Sequence, residues 1–141
     1  MLFHLGDILT VTTGRLVSPT FTEGAYKILN FMTRDNLFTH QLPRAADECK
    51  PWLERQYPQL SEAAMATDIA ELDNLLQNIN YKNKRKHIVL LWLNTLVIKY
   101  GEYFEVEPLP PEDHIFKNPL LEAEEMIGKD RGVAVIDKKI K

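Results

Sequence analysis

Cysteine is nearly missing from this chain: Cys49 stands alone among 141 residues. An internal disulfide is impossible, and a reducing compartment suits such a chain better than a secreted one. The six glycines form no phosphate-cradling loop, and neither a GxSxG nucleophile elbow nor a CxxC or HExxH pair occurs. A long apolar run is also lacking. The longest, Ile88 to Ile98, is interrupted by Asn94 and Thr95 and falls short of the about 20 residues that a bilayer-spanning helix needs. The opening MLFHLGDILT has neither the basic flank nor the long apolar core of a signal peptide. A net charge of −3 provides no general attraction to nucleic acid, whose backbone is held mainly by Lys and Arg. These absences predict a single domain over 1–141, cytoplasmic, without a membrane partner and without nucleic acid.

Catalysis and metal binding find little support. His4, His40, Cys49, His87 and His114 show no ligand spacing, so no metal and no cofactor is expected. Cys49 falls at an apolar helix position, where a free cysteine behaves as a small buried hydrophobe rather than a nucleophile. Glu112-Asp113 lies in a proline-rich acidic stretch, where solvation is the ordinary outcome. The expectation is a protein that is not an enzyme.

What is present is a chain with helical periodicity, 45% hydrophobic and 26% charged, the balance of a soluble globular protein. Asp7 is placed to cap a short helix through Thr13 that Gly14 ends. Thr20 or Thr22 is placed to cap a second, with Ala25, Ile28, Leu29 and Met32 on one face. Pro43 suits the first turn of a third, in which Ala45, Ala46, Cys49, Trp52 and Leu53 share a face. Pro51 predicts a kink or a break in it. Ser61 or Thr67 starts a fourth, carrying Ile69, Leu72, Leu75, Leu76 and Ile79. IVLLWLNTLVIKYG, ending at Gly101, reads as a buried central helix, although a pair of strands has a similar pattern. It can serve as a domain core or as a dimer interface, so the oligomeric state stays open. Tyr103 to Glu107 alternates like a half-buried strand, expected to pair with Val133 to Ile136. Asn118-Pro119 begins a short helix with Leu120, Leu121, Met126 and Ile127. The predicted fold is mostly α (α+β): a compact bundle of about five helices with a small C-terminal β element.

Charge is unevenly distributed. Lys82, Lys84, Arg85 and Lys86 place four positive charges in YKNKRKH, at the start of a helix where the dipole does not favour them. Residues 102 to 125 hold eight acidic side chains against Lys117 alone. Such asymmetry can steer a charged partner. The acidic segment can imitate nucleic-acid phosphate in a basic groove, or it can be a solvated loop.

The densest polar stretch is FMTRDNLFTHQLPRA, residues 31 to 45. One reading has Arg15 or Arg44 paired with Asp35 while Asn36, Thr39 and Gln41 satisfy backbone groups in a partly buried loop. The other makes Arg15, Asn36, His40, Gln41 and Arg44, together with Lys82, Lys84, Arg85 and Lys86, a binding surface for a partner protein or an anionic small molecule.

TTGRLVSP at 12–19, NFMTRDNLFTHQLPRA at 30–45 and PWL at 51–53, continued by YGEYFEVEPLP at 100–110 and DRGVAVI at 130–136, resemble a family of small, uncharacterised proteins from phages and prophages. The resemblance covers most of the chain except about Leu60 to Lys99 and carries no catalytic residues with it. It implies a phage-borne accessory protein in the cytoplasm of a bacterial host. The resulting expectation is a non-enzymatic protein that binds and inhibits a host protein, for example a counter-defence factor such as an anti-CRISPR. The alternative is a protein that binds or sequesters a nucleotide-like small molecule.

Overall fold

A computed structural model describes residues 1–78 and 84–128 of the chain. It begins with strand β1, Leu2–His4, which passes directly into helix α1, Leu5–Thr13. His4, not Asp7, caps α1: its Nδ1 accepts a hydrogen bond of 2.9 Å from the Gly6 amide. Asp7 lies inside the first turn, buried, and takes a 2.5 Å hydrogen bond from the Ser18 hydroxyl. The cap thus lies three residues before the expected one, because β1 continues up to the helix. Gly14 ends α1 in the left-handed region at φ 72°, as its missing Cβ allows.

Helix α2, Thr22–Thr33, has Phe21 at its N-cap and no side-chain cap. Neither expected threonine caps it: the helix begins at Thr22, and Thr20 turns back to Ser18, whose hydroxyl accepts from the Thr20 amide at 3.2 Å. Helix α3, Leu42–Gln56, starts with Pro43 in its first turn and runs through Pro51 without a break. The missing proline amide deletes one helical hydrogen bond on an exposed side of the helix, while Ala45, Cys49 and Leu53 are fully buried on the other. Helix α4, Ala66–Gln77, opens at Met65 without a side-chain cap. Ser61 instead organises the preceding turn, accepting from the Ala64 amide at 3.2 Å. Ile79 lies outside the described residues.

Helix α5, Arg85–Tyr100, is not the all-round buried helix that its composition suggests. Val89, Trp92, Leu93 and Leu96 are buried, but Leu91 is 60% and Ile98 88% exposed. α5 packs on α1 and α4 through one face and has water on the other. The indole of Trp92 donates to the Asp68 carbonyl at 3.0 Å and ties the α4–α5 pair together.

The small sheet joins the two ends of this bundle. Strand β2, Tyr103–Glu105, pairs antiparallel with β1 in the register Leu2↔Glu105, Phe3↔Phe104, His4↔Tyr103. Backbone bonds from Leu5 to Glu102 and from Val106 to Met1 extend the ladder. Of the strand expected over 103–107, only Tyr103–Glu105 forms, and its described partner is the N-terminus; Val133 to Ile136 lie outside the described residues. Residues 119–128 form helix α6, with the Asn118 side chain accepting from the Leu120 and Leu121 amides. The described chain is mostly helical with one two-stranded sheet. Leu5, Ile8 and Leu9 of α1, Ile28 and Met32 of α2, Cys49 and Leu53 of α3, Leu72 of α4 and Leu93 of α5 form one contiguous core.

Candidate functional site

From β2 the chain crosses α3 as a strap, residues 106–118, interrupted by one 3₁₀ turn at Pro111–Asp113, before entering α6. Val106 and Leu109 of the strap are buried. Three α3 groups hold its first half by the backbone: Trp52 Nε1 and Gln56 Nε2 donate to the Glu107 carbonyl, and Gln56 Oε1 accepts from the Glu107 amide; just before it, the Tyr57 hydroxyl donates to the Glu105 carbonyl at the end of β2. The Leu109 amide bonds the Met32 carbonyl at 2.9 Å, docking the strap on the end of α2.

Its second half is held by polar side chains from the 34–48 region. His114 is buried, its Nδ1 2.5 Å from Glu48 Oε1 and its Nε2 2.9 Å from Asp35 Oδ2. Arg44 makes a two-point contact with Glu122, Nε to Oε2 at 2.7 Å and Nη2 to Oε1 at 2.9 Å. Its remaining nitrogen, Nη1, donates to Glu48 and to the Ile115 carbonyl. Gln41 donates to Glu122 and to the Lys117 carbonyl. His40 Nε2 meets the Pro119 carbonyl at 2.8 Å. Three side chains from one turn of sequence thus grip the carbonyls of residues 115, 117 and 119 in succession.

The electrostatics follow from this geometry. The Arg44 hydrogen bond, helped by that from Gln41 and by the charges of Arg44 and Lys117, outweighs burial and lowers the Glu122 carboxyl from 4.5 to about 2. Arg44 is raised in return, chiefly by the same hydrogen bond to Glu122. Burial, reinforced by the Glu48 charge, pushes the Cys49 thiol up to about 12, which leaves almost no thiolate at neutral pH. Among the described residues no group of three or more His, Cys, Asp or Glu is placed to hold a metal ion.

Because its backbone is turned inward, this segment turns its large apolar side chains outward. Ile115 is 56% exposed, Phe116 62%, Leu120 76% and Leu121 59%. Phe38, also exposed, stands beside the same anchor, its ring 6.1 Å from that of His40. The Phe116 ring rests edge-on against buried His114 at 4.4 Å. α6 inverts the usual pattern: Glu122 is its buried contact and its leucines face water. This apolar surface is the strongest candidate site, and the acidic tenor of 102–125 concealed it. The legible signal was Leu120-Leu121 directly after an Asn-Pro helix start, with an acid next in line.

The predicted binding residues divide into two groups. Arg44, Gln41 and His40 converge, facing the strap rather than solvent. Asn36 is exposed at the edge of the same loop, its amide bonded to Asp35 Oδ1. Asp35 itself pairs with His114, so neither arginine takes it as expected. Arg15 lies elsewhere, in a two-point pair with Asp73 at 2.7 and 2.8 Å. It shares a recess of about 420 Å³ with Arg85. The Lys86 ammonium sits 5.0 Å from the centre of the Phe21 ring. Lys84 immediately precedes α5, and Lys82 is outside the described residues.

Among the described residues no helix is long and apolar enough to cross a membrane. Residues 3–63 match a family described as a domain of unknown function, DUF7736. The match spans β1 through α3, and so includes Asp35, His40, Gln41, Arg44 and Glu48 but not the strap they hold. No curated protein and no solved structure matches the chain.

Proposed function

We propose that this chain is a non-enzymatic protein-binding module whose docking surface is the apolar face formed by Ile115, Phe116, Leu120 and Leu121. The observation that carries this reading is the combination of exposed large side chains with a backbone fixed at 115, 117 and 119 by Arg44, Gln41 and His40. Four large exposed apolar residues fall between positions 115 and 121 of one anchored segment; exposed apolar surface of this kind marks interaction sites, and a pre-ordered backbone lowers the entropy lost on binding. The groups that resemble an acid–base set, His114, Glu48 and Asp35, are committed to each other and to the strap. In line with the resemblance to phage and prophage proteins, the partner is a host protein and the effect is inhibition, as a counter-defence factor would exert it. Sequestration of an anionic small molecule near Arg15 has weaker support, because Asp73 already occupies both terminal nitrogens of that guanidinium.

The test is affinity capture from host lysate with the wild-type chain and with the Phe116→Asp, Leu120→Asp double variant. One dominant protein, kept by the first and lost by the second at unchanged melting temperature, is the expected result. Equal capture by both, or none by either, overturns the reading.

A further inference from the structure

Acidic groups border the apolar face. Glu112 and Asp113 immediately precede the buried His114, on the exposed 3₁₀ turn Pro111–Asp113. Glu124 lies one helical turn beyond Leu120, and Glu125 one turn beyond Leu121, so each outward leucine has a carboxylate next to it on the same side of α6. Of the carboxylates in this region, Glu122 is neutralised by Arg44 and Glu125 by Lys117 at 2.9 Å. Glu112, Asp113 and Glu124 have no ion-pair partner among the described residues. The face therefore presents an apolar centre inside a negative border, on a backbone that is already fixed.

Resting on the docking reading above, we propose that the face is built for a different protein whose binding surface has an apolar recess edged by Lys and Arg, and not for a second copy of this chain. A two-fold contact between copies would use the same patch on both sides. It would set the acidic border of one copy, Glu112, Asp113 and Glu124, close to the acidic border of the other, and like charges across an interface oppose association. A basic border on the partner reverses that sign, hastens encounter, and makes binding sensitive to salt. The apolar centre then governs how long the complex lasts.

Two synthetic helical peptides with the same Leu/Trp apolar row, one flanked by lysine and one by glutamate, separate the possibilities when titrated against the full chain by fluorescence anisotropy. The lysine peptide should bind at least about tenfold more tightly, and more weakly as salt rises. Phe116→Asp should abolish that binding even though it adds a negative charge, which excludes simple attraction to an acidic surface. The triple variant Glu112→Gln, Asp113→Asn, Glu124→Gln should still bind but lose the preference. Equal binding of both peptides to the wild-type chain overturns the charge inference and leaves the docking face standing. Binding of neither peptide removes the docking face as well. Concentration-dependent dimerisation of the wild-type chain that Phe116→Asp abolishes overturns the proposal in favour of self-association.

Discussion

The Arg44 guanidinium and the Glu122 carboxylate meet through two parallel hydrogen bonds, at 2.7 and 2.9 Å, across 78 residues of sequence. This contact joins α3 to α6, and it takes place where Glu122 is almost fully buried. Removing one partner leaves the other charge desolvated. Arg44→Ala is expected to cost about 3 kcal/mol, the scale for breaking a buried pair. Arg44→Lys should recover only part of this, since an ammonium cannot reproduce the two-point contact and still reach the Ile115 carbonyl. Urea unfolding of both variants, with a double-mutant cycle to Glu122→Gln, measures the pair. A lysine variant as stable as wild type would show that the fork geometry does not matter.

Glu122 also fixes how the protein responds to acid. Its carboxyl is lowered to about 2 in the folded chain against an ordinary 4.5, so the folded state releases this proton more readily than the unfolded state. The stabilisation is therefore complete above about pH 4.5 and is lost as pH falls toward about 2. Urea midpoints taken across that window should decline in the wild type and decline less steeply in Glu122→Gln. Parallel profiles for the two proteins would assign the acid sensitivity to other carboxylates.

The helices were legible because their signals are local. The apolar spacing of Ala25, Ile28, Leu29 and Met32, the Gly14 stop and Pro43 in a first turn each act within a few residues, and each appears where the periodicity placed it. Two kinds of information were not local. The partner of Tyr103–Glu105 is Leu2–His4, about a hundred residues away, and a three-residue strand running straight into a helix has too short an alternation to announce itself. The polar loop at 34–44 was recognisable as either a network or a surface. The bonds of Asp35, His40, Gln41 and Arg44 run to His114, Glu122 and the carbonyls of 115, 117 and 119, so no reading of the loop alone could pair it. Helix α5 misled for a further reason: composition reports what a helix can bury, while the neighbours available decide what it does bury, and Leu91 and Ile98 stay mostly exposed among the described residues.

Gly24 is a position where a favourable local change should be harmful. Inside a helix, alanine is better than glycine by about 1 kcal/mol. Here a Cβ would stand 1.9 Å from the Ser18 hydroxyl and 2.4 Å from Asp7 Oδ1, two atoms already bonded to each other and buried. Gly24→Ala must push α2 away from α1 or break the Asp7–Ser18 bond. A net loss of about 2 kcal/mol is expected, within the range for overpacking a core. Thermal unfolding measures it, and a raised melting temperature would mean that the α1–α2 contact yields without cost.

His114 should control the strap more than the bundle. Its ring spans Glu48 and Asp35, and both acids keep other partners when it is gone: Glu48 retains Arg44 and the Ile115 amide, and Asp35 retains the Asn36 amide. The cost of His114→Ala is thus confined to one filled site and two hydrogen bonds to charged groups, about 3–6 kcal/mol for the two bonds. The strap has its other anchors at Trp52, Gln56 and Tyr57, on the far side of Leu109, so the opening should begin between Leu109 and Pro119. Amide exchange should accelerate at Ile115 and its neighbours while α1 and α3 keep wild-type protection, because local opening needs only the contacts of the segment that opens. Phe116 loses the ring it leans on, 4.4 Å away, and with it the fixed direction that the docking face requires. The variant should therefore bind partner or peptide more weakly at a temperature where the bundle is intact. If exchange instead accelerates uniformly across all helices, the strap and the bundle unfold as one unit, and His114 belongs to the core rather than to the presentation of the site.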